Sequence, residues 1–159
     1  MTQTDSLPAL RVERLSRKFG EFLAVDDISF EIPKGVICGF IGPNGAGKTT
    51  TMRICATLDL PSYGNAWVSG FSVLSHPREV RTKLGFMPDN FPVEPQIQVR
   101  HMIDFFGRAH GLRGQALQTA TDAIIEFTSL EGLLHKSFGS LSKGMRQRAA
   151  LATTLMHDP

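Results

Sequence analysis

The chain has 159 residues, with 42% hydrophobic and 20% charged side chains, so one domain is the default, able to bury about two thirds of its unfolded surface. A formal charge of +2 is too small to argue for nucleic acid or an acidic membrane surface as a partner. The start, Met1 to Pro8, is polar and lacks the basic and apolar regions of a secretory signal, and no window approaches the roughly 18 apolar residues of a spanning helix.

In chain order, Leu10–Leu15 alternates apolar and charged residues, the pattern of a half-exposed strand. Arg17-Lys18-Phe19-Gly20 turns into a second strand over Phe22–Ile32, where Ile28, Phe30 and Ile32 alternate with Ser29 and Glu31. Pro33-Lys34-Gly35 is a turn leading to Val36–Ile41, a continuously apolar run that reads as a buried parallel strand. After a glycine loop, Met52, Cys55 and Leu58, with Ile54 alongside, form a helical apolar stripe. Ala66–Ser69 and Phe71–Leu74 are short strands around Gly70, Pro77–Lys83 is a short charged helix, and Leu84–Met87 is another buried strand. Three prolines between Pro88 and Pro95 exclude regular structure there and make a hinge-like connection.

The composition then turns helical. Val99, Met102, Ile103, Phe106 and Ala109 share one helix face that ends at Gly111, and Leu117, Ala120, Ile124 and Phe127 share another. Apolar periodicity of this kind marks the core of a helical subdomain rather than ligand contacts. Ser142 is the N-cap of a last helix carrying Leu151 and Leu155. Cys38 and Cys55 lie far apart in apolar contexts, without metal-ligand spacing, and read as buried, reduced thiols of a cytosolic protein. The histidines are scattered without ligand spacing, and no metal role follows for them.

Two stretches carry chemistry. Gly42-Pro43-Asn44-Gly45-Ala46-Gly47-Lys48-Thr49 fits G-x-x-x-x-G-K-[ST], the phosphate-binding P-loop. Its glycines let successive N–H groups point at phosphate oxygens, Lys48 reaches the β- and γ-phosphates, and the Thr49 hydroxyl can sit on Mg²⁺. An apolar run before it and a helix after it supply the context the motif requires, and the helix adds its positive end to the anion site. Leu141-Ser142-Lys143-Gly144-Met145-Arg146-Gln147-Arg148 is a serine-capped, cation-rich helix start. Its amides, the Ser142 hydroxyl and Gly144 could hold a second phosphate, a weak signal by itself because such caps are common.

Together these stretches resemble the ATP-binding subunit of ABC transporters, over nearly the whole chain from about Leu10. The P-loop matches fully and is extended by Thr50, Leu141–Met145 looks like the LSGGQ signature, and Phe19 stands where the family places an aromatic against adenine. The resemblance implies an α/β P-loop NTPase core with an N-terminal antiparallel β portion and an inserted, incomplete α-helical subdomain. The implied divisions are 10–88 for the β portion and core, 89–141 for the helical subdomain and 142–159 for the signature helix. It also implies ATP and Mg²⁺ as ligands, with Ser142, Lys143 and Gly144 closing over the γ-phosphate of a second ATP-binding subunit in a head-to-tail dimer. A transmembrane permease subunit would contact the loop around Asp89–Pro95, and the protein would be cytoplasmic, peripheral on the inner face of the cell membrane. No nucleic-acid partner is implied.

Three positions depart from the family pattern. Lys143 replaces a glycine and Met145 a glutamine, while Asp89 stands where the family has a glutamine that senses Mg²⁺ and the attacking water. A carboxylate can still bind hydrated Mg²⁺ but cannot donate as an amide does. The alternative for Asp89 is a turn residue after Pro88, and for Phe19 an ordinary core residue at a strand end.

No four apolar residues followed by Asp-Glu occur up to Pro159, whereas phosphoryl transfer needs an acidic group on Mg²⁺ and a residue that positions water. The sequence therefore reads as an ATPase cassette truncated before that acidic Walker B strand, expected to bind ATP without hydrolysing it and to be marginally folded, with apolar faces uncovered. Alternatives are a non-transport ABC ATPase of the ribosome-associated or DNA-repair type, and a bare nucleotide-binding module. Sustained heptads between Leu58 and Leu141 are absent, against a coiled-coil member, and GTPases lack support because Asn-Lys-x-Asp does not occur.

Overall fold

The computed structural model describes residues 7–159; most of the Met1 to Pro8 stretch discussed above lies outside them. The chain divides into two compact units, one ending at Leu84 and one spanning Gly85–Pro159.

The first unit is an antiparallel sheet with two short helices. Strand β1 (Leu10–Phe19) and β2 (Phe22–Ile32) form a hairpin, followed by α1 (Lys48–Cys55), β3 (Tyr63–Val68), β4 (Phe71–Ser72) and α2 (Pro77–Lys83). The order in the sheet is β2-β1-β3-β4. Val12 faces Phe30 on one side and Ala66 on the other, so the alternation read along β1 sets the register of both ladders. That alternation slips at Arg14, where φ is +48 and both registers shift. The irregularity lets Leu15 and Ser16 both turn inward. Val12, Leu15, Ile54, Cys55, Ala66, Val68, Val73 and Val80 make the core of this unit, and each large side chain so buried contributes about 1.5–3 kcal/mol.

The second unit packs α3 (Val99–Ala109), α4 (Gly114–Thr128) and α5 (Lys143–Leu155), with 3-10 turns at Glu131–Leu133 and Phe138–Ser140. Its core runs through Val99, Met102, Ile103, Leu117, Ile124, Leu130, Phe138 and Ala149. Phe91 packs against Phe106 and Phe138, with ring centroids 5.6 and 6.3 Å apart. The Gly139 amide donates to the Pro95 carbonyl at 2.7 Å, and that of Phe138 to Ile97 at 2.8 Å. The proline-rich connection is thus irregular, as its composition demands, yet stitched to the turn before α5. The rings of His110 and His157 stack nearly parallel at 3.8 Å and join the end of α3 to the end of α5.

Several expectations from apolar pattern need correction. Val36–Ile41 forms no ladder, and Ile37 and Ile41 are fully exposed at 105% and 93%. Such a run is buried only when strands flank it, and no described strand pairs with it; the Phe40 ring lies 5.5 Å from that of Phe30 on β2. Leu84–Met87 is likewise irregular. Cys38, carried on the same exposed run, is exposed rather than buried. On α1 the buried face is Thr51, Ile54 and Cys55, while Met52 and Leu58 face out. Ala109, Phe127 and Leu151 are exposed too: the buried stripe of α4 is rotated to Leu117, Thr121, Ile124, Ile125 and Thr128, and that of α5 to Ala149, Ala150, Ala152 and Thr153. Thr121, Thr128 and Thr153 lie inside, and Thr128 and Thr153 satisfy their hydroxyls on carbonyls of their own helices.

Candidate functional site

The glycine loop takes its shape from the α1 side. Gly47 is the N-cap of α1 with φ +81 and ψ +4, a left-handed conformation that glycine adopts without a side-chain penalty. Space demands glycine as well, since a Cβ here would collide with the Ala24 carbonyl oxygen of β2 and lie 3.0 Å from Val25 Cγ2. No side chain caps α1, so its first-turn amides face the loop without an internal acceptor. The Thr51 amide makes the first helical bond to Gly47 O at 2.8 Å, and the Thr51 hydroxyl doubles it at 3.0 Å.

Lys48 folds back over the loop. Its Nζ donates to the carbonyls of Gly42 at 2.7 Å and Pro43 at 2.6 Å, holding the cation over the first residues of the loop. Positions 42–46 and Thr49 are exposed, and Thr50 is half-buried. The fit to a nucleotide's phosphates rests on this donor set of uncapped amides, one ammonium and a following hydroxyl.

Phe19 ends β1 in the same unit and is 46% exposed. The Arg17 guanidinium lies 4.3 Å from its ring centroid. Asp89 belongs to the second unit, where it lines a cavity of about 640 Å³ shared with Phe91, Phe138, Lys143, Arg146 and Gln147. Ser142 caps α5 and accepts from the Met145 amide at 3.4 Å, while Ser142, Lys143 and Gly144 are all exposed. Asp89 and Lys143 are thereby brought to one cavity. Arg146 and Gln147 join them there, positions the sequence marks only as the basic continuation of the signature. Arg148 instead turns to the Ser129 carbonyl at 3.1 Å. Arg17 and Asp59, discussed below, carry no sequence signal, because nothing in the local pattern links two residues so far apart in the chain.

The solved structures that superpose on the chain show the α/β fold of P-loop NTPase domains, with the glycine loop opening α1. An ATP-binding subunit of an ABC transporter matches with a TM-score of 0.83 at 23% identity, over 95% of this chain and 63% of that one. The cbiO1 protein of Clostridium perfringens, part of the ABC transporter complex cbiONQ, matches with a TM-score of 0.80 at 24% identity, over 96% of this chain and 62% of that one. The family model for ABC transporters matches residues 25–159, and the chain belongs to that family. Among curated relatives, the Nod factor export ATP-binding protein I of Ralstonia nicotianae is 34% identical over 97% of this chain and 48% of its own length. The probable multidrug ABC transporter ATP-binding protein YbhF of Escherichia coli is 35% identical over 94% of this chain and 26% of its own length. The chain therefore spans about half the length of the first of these relatives and a quarter of the second. No helix among the described residues is long and apolar enough to cross a membrane.

Proposed function

We propose that this chain is the ATP-binding part of the motor subunit of an ABC transporter, coupling ATP binding and hydrolysis in the whole protein to the work of a membrane partner. The observation that carries this reading is the loop itself: Gly47 is wedged against β2, α1 opens uncapped, and Lys48 Nζ stands over the loop carbonyls. Amides from Gly45 to Thr50 and Lys48 would hold the phosphates, the Thr49 hydroxyl would offer an oxygen to Mg²⁺, and the base would lie on Phe19. Bound Mg²⁺ supplies neutralisation of the phosphate charge. Asp89 is an acceptor-only carboxylate at the position where the family has an amide.

Ser142, Lys143 and Gly144, exposed at the capped start of α5, suit contact with the γ-phosphate held by a second copy in a head-to-tail dimer. The segment Asp89–Pro95 suits a permease subunit, which would hold the protein on the inner face of the membrane. These residues alone are proposed to bind ATP without turning it over, since no apolar run ending in Asp-Glu occurs among them. Calorimetry on Lys48→Ala tests the central claim. Loss of tight ATP binding is expected, and an unchanged affinity would overturn it.

A further inference from the structure

The feature left unused by this reading lies behind Phe19. Arg17, one residue pair upstream on β1, covers one face of the Phe19 ring with its guanidinium, 4.3 Å from the centroid. Its Nη2 is ion-paired to Asp59 Oδ1 at 2.7 Å, and both side chains are mostly buried, 23% and 17% exposed. The same Asp59 oxygen accepts the Leu60 amide at 2.8 Å. Arg17 Nε is buried without a hydrogen-bond partner among the described residues. The guanidinium is thus held by a carboxylate at one end and lies over the aromatic ring.

Asp59 lies four residues beyond Cys55, the end of α1, whose first turn follows the glycine loop. The segment after α1 is also bonded to the end of β1 along its backbone. The Lys18 amide donates to Ser62 Oγ at 3.0 Å, and the Ser62 amide donates to the Ser16 carbonyl at 2.8 Å. This clamp fixes the stretch of β1 that carries Phe19, next to the turn at Gly20 with φ +58.

We propose that Arg17 and Asp59 are positioning residues for Phe19: they hold the ring edge to the strand and back it with a cation, leaving the opposite face to stack on the nucleotide base. The proposal rests on the reading of Phe19 as the base platform. A cation on one face of an aromatic ring interacts with its π-cloud, and more strongly when desolvated, as Arg17 is here. A base on the other face then meets a ring already fixed in orientation, which lowers the ordering cost of binding. Arg17 is the suitable cation because its flat guanidinium can stack and form an ion pair at once, which a lysine ammonium cannot.

The test compares ATP with inorganic tripolyphosphate, which has no base, by calorimetry on the full chain. Arg17→Met and Asp59→Asn are each expected to weaken ATP by about three- to tenfold and to leave tripolyphosphate within about twofold. Arg17→Met added to Phe19→Ala should bring no further loss, because the ring through which it acts is gone. Arg17→Lys, which keeps a charge beside Asp59 but loses the flat stack, should show the same selective loss in smaller measure, and it replaces the methionine variant should that one not fold. Equal losses for ATP and tripolyphosphate would assign the pair a merely structural role and overturn the proposal. An unchanged ATP affinity in Arg17→Met, with Phe19→Ala weakened, would overturn it while leaving the base platform standing. Phe19→Ala with an unaltered ratio of ATP to tripolyphosphate affinity would remove the platform itself.

Discussion

Gly45 and Gly47 offer a controlled comparison inside one loop. Their backbones are nearly the same, with φ +83 and +81, but a Cβ at Gly45 would meet nothing within 4 Å, whereas one at Gly47 would run into the Ala24 carbonyl. Gly45→Ala should therefore cost only the left-handed conformation, about 1–2 kcal/mol. Gly47→Ala adds an overlap with a main-chain oxygen, which no rotamer change relieves, so either the loop or β2 must shift. A total of about 3 kcal/mol is expected, in the range that strain at a special backbone position reaches. Urea denaturation followed by circular dichroism reads both. With a slope of about 2 kcal/mol per molar, the midpoint should fall by about 0.5–1 M for Gly45→Ala and by about 1.5 M for Gly47→Ala. Equal shifts would show that the contact with Ala24 does not shape the loop, and the account of Gly47 would fail.

Burial pushes the pKa of the Cys55 thiol up to about 11 from its ordinary value of 9.0. The folded state therefore holds its proton more tightly, and the associated stability is complete below about pH 9 and lost as pH rises toward 11; Cys55→Ala should flatten that part of a stability-versus-pH curve. A thiol reagent should label exposed Cys38 rapidly in the folded chain and Cys55 only after denaturation. His110 has its pKa lowered from 6.5 by burial first and by the facing His157 second, so its neutral form is the folded one. Stability should fall as pH drops below about 6.5, and His110→Phe should remove that loss while keeping a ring against His157. Phe138→Ala, at a site 6% exposed, should cost about 3–5 kcal/mol, while Phe127→Ala, at 71% exposed, should stay within about 0.5 kcal/mol in the same melt.

The elements most legible in the sequence are those that local rules specify. The period-two pattern of β1 and β2, the turn glycine between β3 and β4, and the proline that opens α2 each act within a few residues and mark these elements, although β1 runs on through Arg17–Phe19, where the sequence suggests a turn. The helical periodicity located α3, α4 and α5 and the inward face of α3 as far as Phe106, but missed part of the buried faces of α4 and α5. Threonines caused part of that error: Thr121, Thr128 and Thr153 are buried, and a hydroxyl that can bond its own helix carbonyl is cheap to bury although it reads as polar in a sequence. At the site, the glycine loop and the Ser142 cap were visible because they are short contiguous motifs. The Arg17–Asp59 pair was not, because its partners meet only when the turn after α1 folds against β1.

Val36–Ile41 shows where sequence reading and the structure part for a different reason. A continuous apolar run states that both faces of a strand need cover, but it does not say which residues provide it. Ile37 and Ile41 are exposed, and no described strand pairs with this lead-in. The contacts that hold the loop are Gly47 against Ala24, Thr51 on the Gly47 carbonyl, and Lys48 drawn back to Gly42 and Pro43. The loop is hung from α1 and β2, and the lysine then gathers its first residues toward that anchored end. The loop-to-helix junction is thus held by Gly47, and a side chain there should disturb the phosphate-binding shape through the clash with Ala24.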